Sequence, residues 1–193
     1  MASRSPLVLV NRTLEDVDCD QIATDNVAGG ALAAEHFAAA GRTPAFLGGP
    51  PDASTSRQRF SGFRTRLDQL GTPLVQGSWE VGDYTHATAY RAAQRIFAED
   101  TADAIFCAND VLAVGALDAA RNAGIRVPED LWIIGFDDID LASWTSINLT
   151  TIRQDSAQLA SQGAQLLLDR IADPDRPTRS TLLEPELVLR ATT

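Results

Sequence analysis

Three polar side chains of the sequence combine the chemistry that a small polyhydroxy ligand requires. They are Arg59, Asn109 and Asp137. A guanidinium can donate two parallel hydrogen bonds, an amide can both donate and accept, and a carboxylate accepts protons from hydroxyl groups. Tyr84 could add the apolar ring face on which such ligands pack. The set predicts a binding site for a molecule such as a sugar.

Each of these side chains also has a simpler structural interpretation, which the sequence leaves open. So does Asp110, the residue after Asn109, which fits best as the N-cap of a helix because Asp is strongly preferred there. Asn109 and Asp137 could satisfy backbone groups in turns, and Arg59 could pair with solvent on a helix surface. Tyr84 could simply anchor a loop.

Catalysis is a weaker interpretation of the same residues. Asp110, Asp137 and Asp138 could serve acid–base or Mg²⁺ chemistry. No histidine follows a predicted strand, however, and Ser54–Ser56 have no visible base partner. The sequence contains neither a P-loop nor a G-x-G-x-x-G fingerprint. We therefore expect a binding protein with no cofactor and no catalytic residues.

Charge and cysteine content narrow the class of protein further. The chain of 193 residues has 26 acidic and 16 basic residues, a net charge of −10, which repels the phosphate backbone of DNA. Cys19 and Cys107 form no C-x-x-C pair, and the two histidines are too scattered for a zinc site, so reduced thiols are expected. The apolar run Leu7–Val10 is too short for a signal peptide or a membrane span. These features predict a soluble, cytoplasmic protein.

Short apolar runs alternate with amphipathic helical stretches along the chain, a pattern that predicts an α/β fold with a doubly wound parallel sheet. The predicted strands are Leu7–Val10, Ala45–Leu47, Leu74–Val75, Ala104–Cys107, Leu131–Ile134 and Leu187–Leu189. The predicted helices are Val27–Ala40, Ser56–Leu70, Ala87–Ala98, Val111–Ala123 and Leu159–Ile171.

This alternation places the polar candidates at one edge of the sheet, because ligands of open parallel sheets bind outside the carboxyl ends of the strands. Asn109 and Asp137 each follow a predicted strand directly, and Arg59 lies in the first turns of the helix after another. Arg59 is in register with the apolar Phe63, whereas Arg57 falls on the solvent side. We expect Arg59, Asn109 and Asp137 to lie close together.

Several longer motifs follow one another in a characteristic order: Ala108–Leu117, Gly124–Leu131, Ile134–Ile139 and Leu149–Gln154. Together they resemble the effector-binding domain of the LacI/GalR family of bacterial transcriptional regulators, along nearly the whole chain. One departure is Gly41-Arg42, where Gly-His is usual in the family. It bears on no ligand contact.

The resemblance implies a periplasmic binding protein-like fold of type I with two lobes and a ligand between them. It implies a partial first lobe at 1–23 and 155–182, a second lobe at 25–153 and 184–193, and crossovers near 24, 154 and 183. The positions that match the family's effector contacts are Asn11, Arg59, Tyr84, Asn109 and Asp137, with Ser156 near the cleft.

The resemblance also implies partners. It predicts a small-molecule effector, a homodimer with Trp144 in the contacting stretch, and repression of transcription through a helix-turn-helix headpiece that this sequence lacks. The unfinished first lobe would leave a sheet edge beside Leu7–Val10 that is prone to pair with another chain. The alternatives are a solute-binding protein of a transporter and, less favoured, a small α/β enzyme.

Overall fold

The computed structural model describes residues 5–14, 17–75, 79–80, 82–99 and 101–193. The chain divides into two compact units. The smaller unit comprises Met1–Asp25 and Gln154–Pro185, and the larger unit comprises Asn26–Arg153 and Glu186–Thr193.

Nine strands, five helices and one 3-10 turn are present in the described ranges. The strands are β1 (Val8–Val10), β2 (Asp20–Thr24), β3 (Pro44–Gly48), β4 (Trp79–Glu80), β5 (Ala104–Cys107), β6 (Trp132–Asp137), β7 (Thr150–Arg153), β8 (Ser180–Leu183) and β9 (Glu186–Val188). The helices are α1 (Asn26–Ala39), α2 (Ser54–Leu70), α3 (His86–Glu99), α4 (Asp110–Ala123) and α5 (Ser156–Ala172), and the 3-10 turn is Asp140–Ser143. None of these helices is both long and apolar enough to span a membrane.

The smaller unit is a three-stranded parallel sheet in the order β1-β2-β8, against which α5 packs. Its buried apolar core consists of Ile22, Leu159 and Leu166. Helix α5 approaches the sheet closely at Gly163, where an added Cβ would lie 2.7 Å from a methyl carbon of Val10. With three buried apolar side chains in this cluster, the core of the smaller unit is small.

A buried carboxylate at the start of β2 connects both segments of the smaller unit. Asp20 is fully buried and accepts hydrogen bonds from Arg170 Nε at 3.0 Å, Arg176 Nη2 at 2.8 Å and the Arg179 amide at 2.8 Å. Burial raises the pKa of Asp20, but the hydrogen bonds from Arg170 and Arg179 and the guanidinium charges outweigh it and leave the pKa lowered. The ionised form is the one that the fold stabilises.

The larger unit is a six-stranded sheet in the order β4-β3-β5-β6-β7-β9. All neighbouring strands are parallel except β7 and β9, which are antiparallel. Aromatic rings form much of the core, with Phe63 lying 5.0 Å from Phe106 and 6.1 Å from Phe37 between ring centroids. Parallel strands buried on both faces explain why β5 and β6 are nearly all apolar.

Helices α1 and α2 meet backbone to backbone through two glycines. A Cβ on Gly30 would lie 2.1 Å from the carbonyl oxygen of Arg59, and one on Gly62 would lie 2.0 Å from the carbonyl oxygen of Val27. Real side-chain carbons do not approach backbone oxygens so closely, so both positions require glycine. This contact fixes the part of α2 that carries Arg59.

The structure confirms the α/β class and the alternation of strands and helices. Four strands were not predicted: β2, β7 and β8 have sequences rich in polar residues, and β4 has only two residues. The prediction of a strand at Leu74–Val75 is wrong: both residues lie in a loop, where the Val75 amide donates to the carbonyl oxygen of Pro44. The sheets are parallel as predicted, and β9 is added antiparallel to β7 at the edge of the larger sheet.

Candidate functional site

Arg59 is the centre of a polar cluster in the larger unit. Its side chain is only 4% exposed, and its guanidinium group lies 3.5 Å above the centroid of the Phe136 ring. Nε donates to Asn26 at 2.8 Å, and Nη1 donates to the carbonyl oxygen of Ala108 at 2.5 Å. Nη2 lies 3.3 Å from Asp137 Oδ1. Every nitrogen of the guanidinium group therefore has a protein acceptor.

Arg59 is charged in spite of its burial. Burial lowers the pKa of Arg59, and Asp137, Tyr84 and Asp110 offset this only in part, so the pKa stays lowered. Since an arginine pKa starts far above neutrality, the side chain remains cationic. The cluster therefore contains a fixed positive charge 3.3 Å from the Asp137 carboxylate.

Asp137 ends β6 in an uncommon backbone conformation. Its φ angle is 110°, and that of Asp138 is 55°. Asp137 is 22% exposed, so its carboxylate is accessible while it remains paired with Arg59. Asp138 is instead held by Arg153 at 2.7 Å and by Arg190 at 2.6 Å. Of the two neighbouring carboxylates, Asp137 is the one available to a ligand.

Asn109 caps helix α4, and the prediction that Asp110 would be the cap is wrong. The Asn109 side chain accepts a hydrogen bond from the Leu112 amide at 2.9 Å, from an extended residue with φ −155°. Asp110 is the first helical residue and points into the protein. Asn109 follows Ala108, whose carbonyl oxygen holds Arg59, so both candidates belong to one cluster.

Asp110 is a buried residue whose role the sequence did not reveal. Its Oδ1 accepts from Thr151 Oγ1 at 2.5 Å, and its Oδ2 accepts from the Ile139 amide at 2.9 Å. Burial raises the pKa of Asp110 to about 7: it outweighs the hydrogen bonds from Thr151 and Ile139, which lower the pKa, and the charges of Asp137 and Asp138 raise it further. The sequence offered one signal: Asn109 and Asp110 are both good N-caps, and since only one of them can cap α4, the other is available for a different role.

Tyr84 lies over the loop that follows β3. A Cβ on Gly49 would lie 2.1 Å from its ring, so glycine at that position makes room for the tyrosine. Among the described residues, no group hydrogen-bonds to its buried hydroxyl. Tyr84 is also close enough to Arg59 to affect the pKa of the guanidinium. The structure thus brings Arg59, Tyr84, Asn109 and Asp137 to one edge of the larger sheet.

The other two predicted residues, Asn11 and Ser156, belong to the smaller unit. Asn11 follows β1 with a φ angle of 57°, and its Oδ1 is buried with no hydrogen-bond partner in the described part of the chain. Ser156 is exposed at the start of α5, next to Asp155, which caps that helix by accepting from the Gln158 amide.

A cavity of about 1160 Å³ also lies in the smaller unit. It is an open groove lined in part by Leu7, Val17, Arg170 and Arg176, and none of the predicted site residues lines it. Within the described ranges, His, Cys, Asp and Glu side chains form no group of three that could hold a metal ion.

Comparison with known proteins identifies the family. Residues 34–193 match the periplasmic binding protein-like domain. The chain belongs to this family. The HTH-type transcriptional repressor PurR of Photobacterium profundum is 35% identical over 188 residues, which cover 96% of this chain and 56% of the relative. The chain thus spans about half the length of the curated relatives it matches.

Solved structures agree with this assignment. A LacI-family transcriptional regulatory protein from Corynebacterium glutamicum is 32% identical with a TM-score of 0.83, covering 96% of this chain and 71% of that chain. A LacI family regulator from Enterococcus faecium, solved with bound ribose, is 29% identical with a TM-score of 0.87, covering 97% and 70%. The resemblance to the LacI/GalR family and the periplasmic binding protein-like fold are both confirmed.

Proposed function

We propose that this chain is the effector-binding part of a LacI-type transcriptional repressor and that its effector is a small uncharged polyhydroxy molecule. The observation that carries the proposal is the pair of Arg59 and Asp137, one buried and one accessible, 3.3 Å apart at the carboxyl edge of the larger sheet. This edge is where open parallel sheets bind ligands.

The state of the pair favours an uncharged effector over an anionic one. Arg59 already donates from Nε and Nη1 to protein oxygens and faces Asp137 with Nη2. A carboxylate or phosphate would therefore have to compete with these acceptors and approach the Asp137 charge. Hydroxyl groups, in contrast, donate to a carboxylate favourably. Asn109 and Tyr84 would add an amide and a ring face on the same side.

The names of the relatives support a regulator rather than a transport protein. PurR of Photobacterium profundum is a transcriptional repressor, and the Enterococcus faecium regulator holds ribose. With a net charge of −10, this chain suits effector binding better than contact with DNA. In the whole cytoplasmic protein, effector would stabilise one conformation and so change the affinity for DNA, without turnover of the ligand.

Two further parts of the proposal concern the smaller unit and assembly. Asn11 and Ser156 stay predicted effector contacts, and the division into lobes at 1–23 with 155–182 and 25–153 with 184–193 stays a prediction. We also propose a homodimer that uses Trp144, which is 59% exposed directly after the 3-10 turn. Large exposed aromatic side chains are typical of protein interfaces.

A thermal-shift screen tests the effector class, with panels of neutral pentoses and hexoses, nucleobases and sugar acids. A ligand present at 100 times its Kd stabilises the folded state by about 2.7 kcal/mol, which raises the Tm of a chain of this size by roughly 5–10 °C. We expect neutral sugars to give this response. Asp137→Asn and Arg59→Ala should remove it, because each breaks the pair.

Matched controls separate the site from general effects on stability. Arg57→Ala alters an exposed arginine two positions from Arg59 on α2, and Asp140→Asn alters an exposed carboxylate at the start of the 3-10 turn. Both variants should keep the full sugar response. A response to sugar acids alone, or one that survives Asp137→Asn, would contradict the proposal.

A further inference from the structure

Asp110 connects three segments of the larger unit through one carboxyl group. It is the first residue of α4 and is fully buried, so a ligand in the site cannot touch it. One oxygen accepts from the Ile139 amide in the turn after β6, and the other accepts from the Thr151 hydroxyl in β7.

The segments that Asp110 joins are those that present the candidate site. The turn carries Asp137 in a conformation that is uncommon for residues other than glycine. The residues just before α4 include Asn109 and the carbonyl group that holds Arg59. There is little free space around the carboxyl group, since a Cβ on Gly135 would lie 2.2 Å from its Oδ1.

We propose that Asp110 is the positioning residue of this site: its Oδ2 holds the Asp137–Ile139 turn against the start of α4 while its Oδ1 is held by β7, and these two contacts fix the place of the Asp137 carboxylate. This inference rests on the proposed function, because Asp137 is the proposed effector contact. A buried backbone amide that loses its acceptor is costly, so the turn should shift when Asp110 is removed.

Several charged or titratable groups face Asp110 from the elements packed around it. They are Asp137 and Asp138 from the turn, Arg59 from α2 and Cys107 from β5, while β7 contributes the neutral Thr151. The charge of Asp138 is balanced by Arg153 and Arg190. Asp137 is paired with one arginine, Arg59, and its charge raises the pKa of Asp110 more than that of Asp138 does.

Ionisation of Asp110 therefore links the site to pH in the neutral range, where its pKa of about 7 lies. Hydroxyl groups that donate to Asp137 would spread its charge and weaken its repulsion of ionised Asp110. Effector binding would then lower the pKa of Asp110 and release its proton. By linkage, affinity for a neutral sugar rises as the pH increases through 7, about tenfold for each unit of pKa change.

The first test needs no effector. Amide hydrogen exchange of Ile139 and the amide chemical shifts of Asp137–Ile139 are measured by NMR in wild type, Asp110→Ala and Asp110→Asn. In Asp110→Ala, exchange at Ile139 should accelerate by about tenfold or more. In Asp110→Asn it should stay near the wild-type rate, because the amide can accept from Ile139 and donate to Thr151. The exchange rates of the β5 amides are the control, because a general loss of stability would accelerate them as well.

The pH profile separates positioning from mere structural support. In wild type the Asp137–Ile139 shifts should titrate with a midpoint near 7, and Asp110→Asn should show no such titration. Should Asp110→Ala not fold, Thr151→Val takes its place: losing the Thr151 hydrogen bond should raise the midpoint. Unchanged Ile139 exchange in Asp110→Ala, a titration that persists in Asp110→Asn, or an unmoved midpoint in Thr151→Val would each overturn the proposal.

Binding of D-ribose then tests the link between the two proposals. Its Kd should fall between pH 6 and pH 8 in wild type and stay constant in Asp110→Asn. A pH-independent Kd in wild type overturns the linkage. If wild type responds to no sugar at all, only the proposed function is contradicted. The role of Asp110 is still decided by the exchange and titration experiments, because these are measured without ligand.

Discussion

At the scale of single residues, Asp20 shows how a charged side chain can be buried at the start of a strand. It is fully buried, yet two guanidinium groups and one backbone amide surround its carboxylate. Such an ion pair contributes little relative to an apolar replacement of both partners, but removing one partner leaves the other charge buried and unpaired. The stability of the smaller unit should therefore depend strongly on this residue.

Replacing Asp20 with Ala should lower the free energy of unfolding by about 3 kcal/mol at pH 7, because Arg170 and Arg176 lose their shared carboxylate. Urea denaturation measures this difference, and Asp175→Ala, at an exposed position of the same unit, is the control. A loss no larger than that of the control would show that the ion pairs are energetically neutral.

The pH dependence of the same variant follows from the lowered pKa of Asp20. A carboxyl group with a lower pKa in the folded state stabilises the protein above its unfolded pKa, near 3.8, and loses that contribution as the pH falls through the folded value. Acid titration of wild type, followed by circular dichroism, should include this loss. The difference between wild type and Asp20→Ala should therefore shrink as the pH falls below about 4.

The sequence predicted residue positions well where one physical rule dominated. Arg59 faces inward because its spacing to Phe63 places it beside the apolar stripe of α2, and Arg57 is exposed for the same reason. At the start of α4 two rules competed, since both Asn109 and Asp110 are good N-caps. Only burial, which depends on the distant Thr151 and Ile139, decides between them.

At the scale of elements, the contact between α1 and α2 depends on the absence of side chains. Gly30 and Gly62 let the two helix backbones touch. Helical glycine is normally unfavourable by about 1 kcal/mol relative to alanine, so its presence here reflects packing rather than helix propensity. The close approach also fixes the height of Arg59 above the sheet.

Gly62→Ala should therefore destabilise the larger unit in spite of the better helix propensity of alanine. The new Cβ would lie 2.0 Å from the carbonyl oxygen of Val27, and forcing the helices apart costs about 1–3 kcal/mol. Thermal unfolding should show a lower Tm, while Ser61→Ala, at the neighbouring exposed position, should leave it unchanged or slightly higher. Equal Tm values for both variants would mean that the helices separate without cost.

Prediction of elements succeeded for apolar strands and failed for polar ones. Strands β5 and β6 consist almost entirely of buried apolar residues, so their sequences reveal them. Strand β7 buries Thr150 and Thr151, whose hydroxyls hydrogen-bond to Thr193 and Asp110, and such pairs cannot be seen in a hydrophobic pattern. The candidate site was predictable because it follows the apolar strands.

At the scale of the whole molecule, we expect the chain to dimerise through an exposed apolar surface. If Trp144 lies in the proposed dimer interface, Trp144→Ser should weaken dimerisation by tenfold or more, since a buried aromatic anchor typically contributes about 2 kcal/mol or more. Sedimentation equilibrium measures the dimer Kd. Leu70→Ser, which alters another exposed apolar residue of the larger unit, should leave that Kd unchanged.

The pairing of β2 with β8 has a consequence for the synthesis of the protein. These two strands lie side by side in the smaller sheet although about 160 positions separate Gln21 from Ser180. β2 is therefore synthesised long before its partner β8 exists, and the edge of β2 that β8 will cover stays open while the intervening residues are made. The smaller sheet can be completed only after β8 has been made, and until then the open edge of β2 can pair wrongly and is a place where a chaperone would help.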